Sequence, residues 1–346
     1  MSKVLVTGGS GYFGNILAKK LKEQGHAVAV FDLEDAPDRP KDVAFMAGDI
    51  RDAPSIDSAC VGMEVVYHCV AMVPLAKDAG QFWSVNRDGT KNLLQACRKA
   101  GVAKVINISS SAVFGVPAKN PVDDSVKPHP LEDYGRAKLA AEEFCAEYAG
   151  QGLDVTTIRP RTIMGPGRLG IMQILFEWVM QGRNLPVLGK GDNLYQFVHA
   201  DDLAEACFKA AARKGPALYN IGARKFCSMR ETLEGLISHA QTQSKVVSLP
   251  MGIAVQLMKL TSTLGLSPLG PYHSLMYGRS MYFDLARPEK ELGWSARFSN
   301  VEMFCQAYDW YLANRDQVLK AGAGSHHRSA ARQGILKIVS LALELL

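Results

Sequence analysis

What the chain lacks narrows its class before any motif is read. Its seven cysteines, at positions 60, 69, 97, 145, 207, 227 and 305, include no CxxC pair and no metal-type spacing. That excludes a disulfide framework and a zinc module, and it predicts reduced thiols in a cytoplasmic protein. His326-His327 has no further ligand types nearby and reads as linker, so no metal is expected. The net charge of +5 is modest and spread out, which leaves no basic face for nucleic acid. No uninterrupted run of about 20 apolar residues is present to span a bilayer. Val246 to Leu269 is broken by Lys259 and two prolines, and the apolar tail that begins at Ile335 is too short. No signal peptide precedes the first candidate strand at residue 3.

What is present begins with a strand, a glycine turn and a helix. Residues 3–7 form an apolar strand pattern that runs directly into Gly8, Gly11 and Gly14, with Tyr12 and Phe13 between the last two. Beyond them Leu17 and Leu21 fall on one helical face. Gly8 permits a tight turn, Gly11 lets backbone approach a pyrophosphate, and Gly14 allows helix to pack on strand, with the helix N-terminus facing the anion. A second strand, Ala27 to Phe31, ends in Asp32, placed to meet ribose hydroxyls. That carboxylate would repel a 2′-phosphate, and Leu33-Glu34 offers no cation, so NAD is favoured over NADP. Asp49 and Ile50 follow another short apolar stretch, where an acid and an apolar residue would flank adenine.

The chemistry-bearing pair is Tyr134 and Lys138, a YxxxK about two dozen residues after the cluster Ser109-Ser110-Ser111. A Tyr phenol titrates near ~10 in water and is a poor base unless a cation stabilises the phenolate. On a helix, Lys138 at i+4 shares a face with Tyr134 and can be that cation.

These motifs occur in an order that resembles the extended short-chain dehydrogenases/reductases, from residue 3 to about residue 312. Thr7-Gly8-x-x-Gly11-x-x-Gly14 matches that family's glycine motif, and His68-Cys69-Val70-Ala71 its segment beside the adenine ribose. Asn86-x-x-Gly89-Thr90 resembles a helix that supports the cofactor site, and Arg159-Pro160 with Gly165-Pro166 an element near the nicotinamide. The resemblance implies an α/β fold, a Rossmann doubly wound parallel sheet with a smaller, mainly helical C-terminal substrate lobe. Residues 1–170 would bind NAD, with 198–225 returning to that unit. Residues 171–197 and 226–314 would form the lobe, and 315–346 a linker and amphipathic tail. Ser110, four residues before Phe114, is implied as the catalytic hydroxyl beside Tyr134 and Lys138. Gly8, Gly11, Tyr12, Phe13, Gly14, Asp32, Asp49, Ile50, Ala71, Asn86 and Pro160 are implied as cofactor contacts, together with Tyr134 and Lys138. The expected reaction is proton exchange at Tyr134 with hydride transfer between a secondary alcohol or ketone and the nicotinamide. A homodimer is expected from the same resemblance.

Departures from the family pattern bear on the substrate. Ser110-Ser111-Ala112 lacks the acid and base of the family's dehydratases, and Tyr195-Gln196 stands where sugar-nucleotide epimerases carry an Arg-Asp pair. Gly189-x-Gly191-x-Asn193-Leu194, and later Met276 to Asp284, resemble the 3β-hydroxysteroid dehydrogenase and sterol-4α-carboxylate 3-dehydrogenase branch. An apolar substrate is therefore expected: a sterol, with loss of a neighbouring carboxyl if a β-keto acid forms, or a β-hydroxy lipid. A nucleotide-sugar 4-epimerase or reductase is the alternative. Arg161, Arg168, Lys190 and Arg279 are the cations available to a substrate carboxylate. Met251, Val255, Leu257, Met258, Leu260 and Leu264 suit either core packing or a ligand wall. The tail from Ile335 to Leu346 leaves Lys337, Ser340 and Glu344 on a narrow polar stripe. Two readings stay open for it: a peripheral membrane contact, or docking on the protein's own surface or a dimer partner.

Overall fold

Lys3–Thr7 forms β1, exposed at its first residue and buried along the rest, because both faces of the strand are covered. The computed structural model describes residues 1–73, 79–263 and 276–320. Around β1 the strands β2 (Ala27–Asp32), β3 (Ala44–Ala47), β4 (Val65–His68), β5 (Lys104–Ile108), β6 (Val155–Pro160) and β10 (Ala217–Ile221) make one sheet in the order β10-β6-β5-β4-β1-β2-β3. Every pairing in it is parallel, with Val4 opposite both Val28 and Val65. The chain leaves β1 toward β2 and β3, then crosses to β4 on the other side. The crevice therefore opens at the carboxyl ends of β1 and β4, where Thr7 and His68 are in register.

Helices cover both faces, and each buries the stripe its sequence prescribes. In the helix Tyr12–Glu23, Leu17 and Leu21 are fully buried. The helix Asp133–Gly150 turns Tyr134, Ala137, Lys138 and Ala141 inward. Residues Phe82–Asp88 wind as a π-helix before the helix Gly89–Ala100, which brings Asn86 to face Met72.

Two further small sheets stand apart from the main one. The pair β7 (Thr162–Met164) with β9 (Phe197–His199) and the pair β8 (Leu185–Leu188) with β11 (Val246–Leu249) are again parallel. With the helices Ile171–Met180, Met229–Ala240 and Met251–Thr263 they surround an apolar hollow. The helix Asn300–Lys320 closes this region and corrects the expected start of the linker. Residues 315–320 stay helical because Arg315 pairs with the buried Glu177 at 2.6 Å. The apolar tail, the His326-His327 pair and Leu264 lie outside the described residues. Among the described residues no helix is long and apolar enough to cross a membrane.

Candidate active site

The cofactor end is shaped by what a side chain would hit. Gly8 sits at φ +72°, and a Cβ there would stand 2.6 Å from the Val70 nitrogen. A Cβ on Gly14 would stand 2.1 Å from the Gly8 carbonyl oxygen, so the helix can lie this close to the turn only with glycine. Gly11 caps that helix and contributes no side-chain bond, which leaves its N-terminus to a ligand. At the end of β2, Asp32 accepts hydrogen bonds from the Ser10 nitrogen at 2.9 Å and the Leu33 nitrogen at 2.8 Å. Burial raises its carboxyl above the usual range. A cradle with a bare helix N-terminus and an acid beside it fits NAD.

The reaction end is assembled by caps. Ser110 caps the short turn Ser111–Phe114, its hydroxyl accepting from the Ala112 nitrogen at 3.1 Å. Glu132 caps the next helix, taking the Tyr134 and Gly135 nitrogens at 2.8 and 2.7 Å, which fixes Tyr134 in the first turn. Burial pushes the Tyr134 phenol up to about 12, while the Ser110 hydroxyl and the Arg168 guanidinium pull it down. Lys138 is buried and donates to the Ile108 carbonyl at 2.9 Å, and burial draws its ammonium down to about 8. Lys138, expected to act on the phenol, stands one helical turn from Tyr134 with its ammonium on the carbonyl at the end of β5, and Arg168 is a further cation whose charge lowers the phenol.

One cavity of about 330 Å³ brings these parts together, lined by Gly8, Gly11, Tyr12, Phe13, Gly14, Ala71, Ser110, Tyr134, Lys138 and Pro160 among others. A second, of about 340 Å³, adjoins it and shares Thr162, Ile171, Met172, Tyr195 and Tyr277. Its remaining walls include Trp178, Val187, Phe197, Ala254, Met258 and Phe304, and among the described residues none that lines it is charged. Met258 and Ala254 are thus wall rather than packing alone, while Leu260 is exposed.

Other predicted residues lie outside both cavities. Asn86 grips Met72 through both backbone groups, at 2.8 and 2.9 Å, and so acts through the wall Ala71–Val73. Asp49 is held by Arg51, which keeps its carboxyl below the usual range, and Ile50 is buried against Gly89. Asp32 stands beside the glycine turn without lining the cavity. Gln196 is spent on protein, its amide donating to the Ala223 carbonyl at 2.7 Å and accepting from the Phe283 nitrogen at 2.9 Å. Arg159 turns away to pair with the buried Glu142, which also takes the Ser109 hydroxyl. Lys190 and Arg279 are exposed, whereas Arg161 and Arg168 line the reaction cavity. Glu132 and Glu142 were not foreseen. Neither carried a sequence signal: Glu is not among the usual N-cap residues, and Glu142 meets its partners only through the fold.

Comparison with known proteins places the chain among relatives of two kinds. It is 51% identical to the uncharacterized protein y4nG of Sinorhizobium fredii, over 99% of this chain and 86% of that protein. It is 33% identical to the human sterol-4-alpha-carboxylate 3-dehydrogenase, decarboxylating, over 60% of this chain and 56% of that enzyme. The solved structure of MoeE5 in complex with UDP-glucose and NAD superposes with a TM-score of 0.74 at 25% identity, covering 90% of this chain and 99% of that one. The sequence profile described as the NAD dependent epimerase/dehydratase family matches residues 4–222, and the chain belongs to that family, among the extended short-chain dehydrogenases/reductases.

Proposed function

We propose that the protein is an NAD-dependent dehydrogenase or reductase of an apolar secondary alcohol or ketone, sterol-like or a β-hydroxy lipid. The observation that carries this reading is the second cavity, uncharged among its described lining residues, which adjoins the cavity that Tyr134 lines. A hollow of this size and lining suits a hydrocarbon body, and its described walls offer a diphosphate no cation. The human relative named for a sterol carboxylate supports the same reading.

Gly8, Gly11, Tyr12, Phe13 and Gly14 would hold the cofactor pyrophosphate, Asp32 the adenosine ribose, and Lys138 the nicotinamide side. Bound NAD supplies the acceptor for the hydride of the alcohol carbon. Tyr134 takes the hydroxyl proton in oxidation and returns it in reduction. Ser110 hydrogen-bonds the same oxygen and keeps it within reach of the phenol. Because burial holds the Tyr134 proton tightly, the neighbouring Arg168 charge favours its release.

The direct test is NADH formation from a panel of neutral sterols, long-chain secondary alcohols and UDP-sugars. Turnover of the apolar compounds is expected. Tight binding and turnover of UDP-glucose, with none of the apolar alcohols accepted, would overturn the reading.

A further inference from the structure

The helix Asp133–Gly150 meets the end of β5 at three successive turns. Tyr134, Lys138 and Glu142 are spaced four apart and lie buried on one face of it. Each engages one of the consecutive residues Ile108, Ser109 and Ser110. Lys138 donates to the Ile108 carbonyl at 2.9 Å, the Ser110 hydroxyl acts on the Tyr134 phenol, and the Ser109 hydroxyl donates to the Glu142 carboxylate. The first two rungs carry groups that take part in the reaction. The third does not, for Glu142 is 7% exposed and lines neither cavity.

The other partner of Glu142 is Arg159 on β6, whose Nε donates to both carboxylate oxygens at 2.9 and 3.1 Å. The same guanidinium stands 4.9 Å from the ring centre of Phe114, the last residue of the short turn that Ser110 caps. One carboxylate therefore ties together, directly or through one neighbour, the Tyr134 helix, the strand end that holds Lys138 and the turn that begins at Ser110. Burying such a pair costs about what its attraction returns, and hydrocarbon of the same volume would hold these elements together as firmly. What hydrocarbon lacks is direction. A charge-assisted hydrogen bond fixes the strand end against the helix to a fraction of an ångström, and catalysis is sensitive to displacements of that order.

We infer that Glu142 is a positioning residue of the reaction: through Ser109 it holds the end of β5 against the helix, so that Ser110 and Lys138 both stay in register with Tyr134. The inference rests on the assignment of Tyr134 to the proton step and is indifferent to which alcohol is oxidised.

The experiment measures kcat, KM and NAD affinity for Ser109→Ala, Ser109→Thr, Glu142→Gln and the double variant S109A/E142Q. The assay compound is whichever of the sterols, alcohols and UDP-sugars the parent turns over fastest, and circular dichroism checks folding. Ser109→Ala is expected to lower kcat about 10- to 100-fold while KM and NAD affinity stay unchanged. Ser109→Thr, which keeps the hydroxyl, recovers most of the loss. The double variant falls no further than the worse single one, because both act through the same bond. Glu142→Met with Arg159→Met, which swaps the pair for hydrocarbon, serves if Glu142→Gln does not fold, and shows the same kcat loss at unchanged KM. Near-parental kcat in Ser109→Ala, or losses that multiply in the double variant, overturns the inference and leaves the apolar-alcohol reading standing. A lowered melting temperature with kcat intact makes Glu142 structural only and overturns it as well. If the parent turns over UDP-glucose and none of the apolar alcohols, that reading fails, while the same variants assayed on the sugar still decide the role of Glu142. Turnover of no compound overturns both.

Discussion

The two adjoining cavities are nearly equal in volume, about 330 and 340 Å³, and opposite in character. The first gathers the ends of β1, β5 and β6 with the Tyr134 helix, and carries a lysine, two arginines and three serines. The second is walled by segments from residue 162 onward and, among the described residues, carries no charge. Reaction chemistry is thus built on the rigid parallel sheet, while substrate choice is left to later segments that pack around it. The five residues common to both, Tyr195 and Tyr277 among them, form the neck where the substrate would pass from one regime to the other.

The comparison breaks most severely at Tyr134. General acid–base assistance contributes roughly 10²–10⁴ in rate, so Tyr134→Phe is expected to lower kcat by that factor while NAD affinity stays unchanged. Near-normal kcat would remove Tyr134 from the chemistry. A comparable effect on stability is expected behind the cavity, where Glu142 holds Arg159 and Ser109. Glu142→Leu strands a buried guanidinium, and losing one partner of such a pair costs about 3–5 kcal/mol. Urea midpoints should report it, and a loss under about 1 kcal/mol would show that solvent reaches Arg159.

The apolar side breaks differently. Leu175 lines the uncharged cavity and is only partly buried, so Leu175→Glu should fold while placing a carboxylate in the wall. KM for an apolar alcohol should rise about 10-fold or more, since the wall would lose the transfer energy of a side chain's worth of hydrocarbon. NAD affinity should not move. If KM is unaffected, the substrate lies elsewhere and the second cavity is only a hollow.

What the chain revealed of itself follows the same division. The glycine turn, Asp32, Ser110, Tyr134 and Lys138 were legible because their geometry is local: a turn of fixed spacing, a strand end, one helical turn. Glu142 and Arg159 were not, because their meeting depends on a helix lying against β6, 17 residues apart in sequence. Asn86, implied as a cofactor contact, also clamps Met72 across a π-helix that no residue pattern announced. The apolar wall was legible only as a composition, since Met258, Val187 and Phe304 come together from three separate segments. Lys190 and Arg279 look like Arg161 and Arg168 in sequence, and burial alone separates them.

A further predicted effect joins the two ends of the site through His68. Its Nδ1 lies 2.8 Å from the Thr7 hydroxyl and its Nε2 2.9 Å from the Thr90 hydroxyl. Thr90 gives its proton to the Asn86 carbonyl at 2.7 Å, so Nε2–H donates to Thr90 and Nδ1 accepts from Thr7. Asn86 in turn holds Met72 in the cavity wall. Burial lowers the His68 imidazole from 6.5 to about 3, so it stays neutral in the folded protein far below the pH at which the unfolded chain takes up a proton. In that window the unfolded state binds more protons, and stability must fall as pH falls from 6.5 toward 3. Between pH 7 and 5 the loss from this one group is about 2 kcal/mol. His68→Gln keeps a hydrogen-bonding side chain without the titration, so its urea midpoint should fall less over that interval than the parent's. Equal slopes for the two proteins would mean that His68 is already relieved by a rearrangement of Thr7, and that the chain from β4 to Met72 is not rigid.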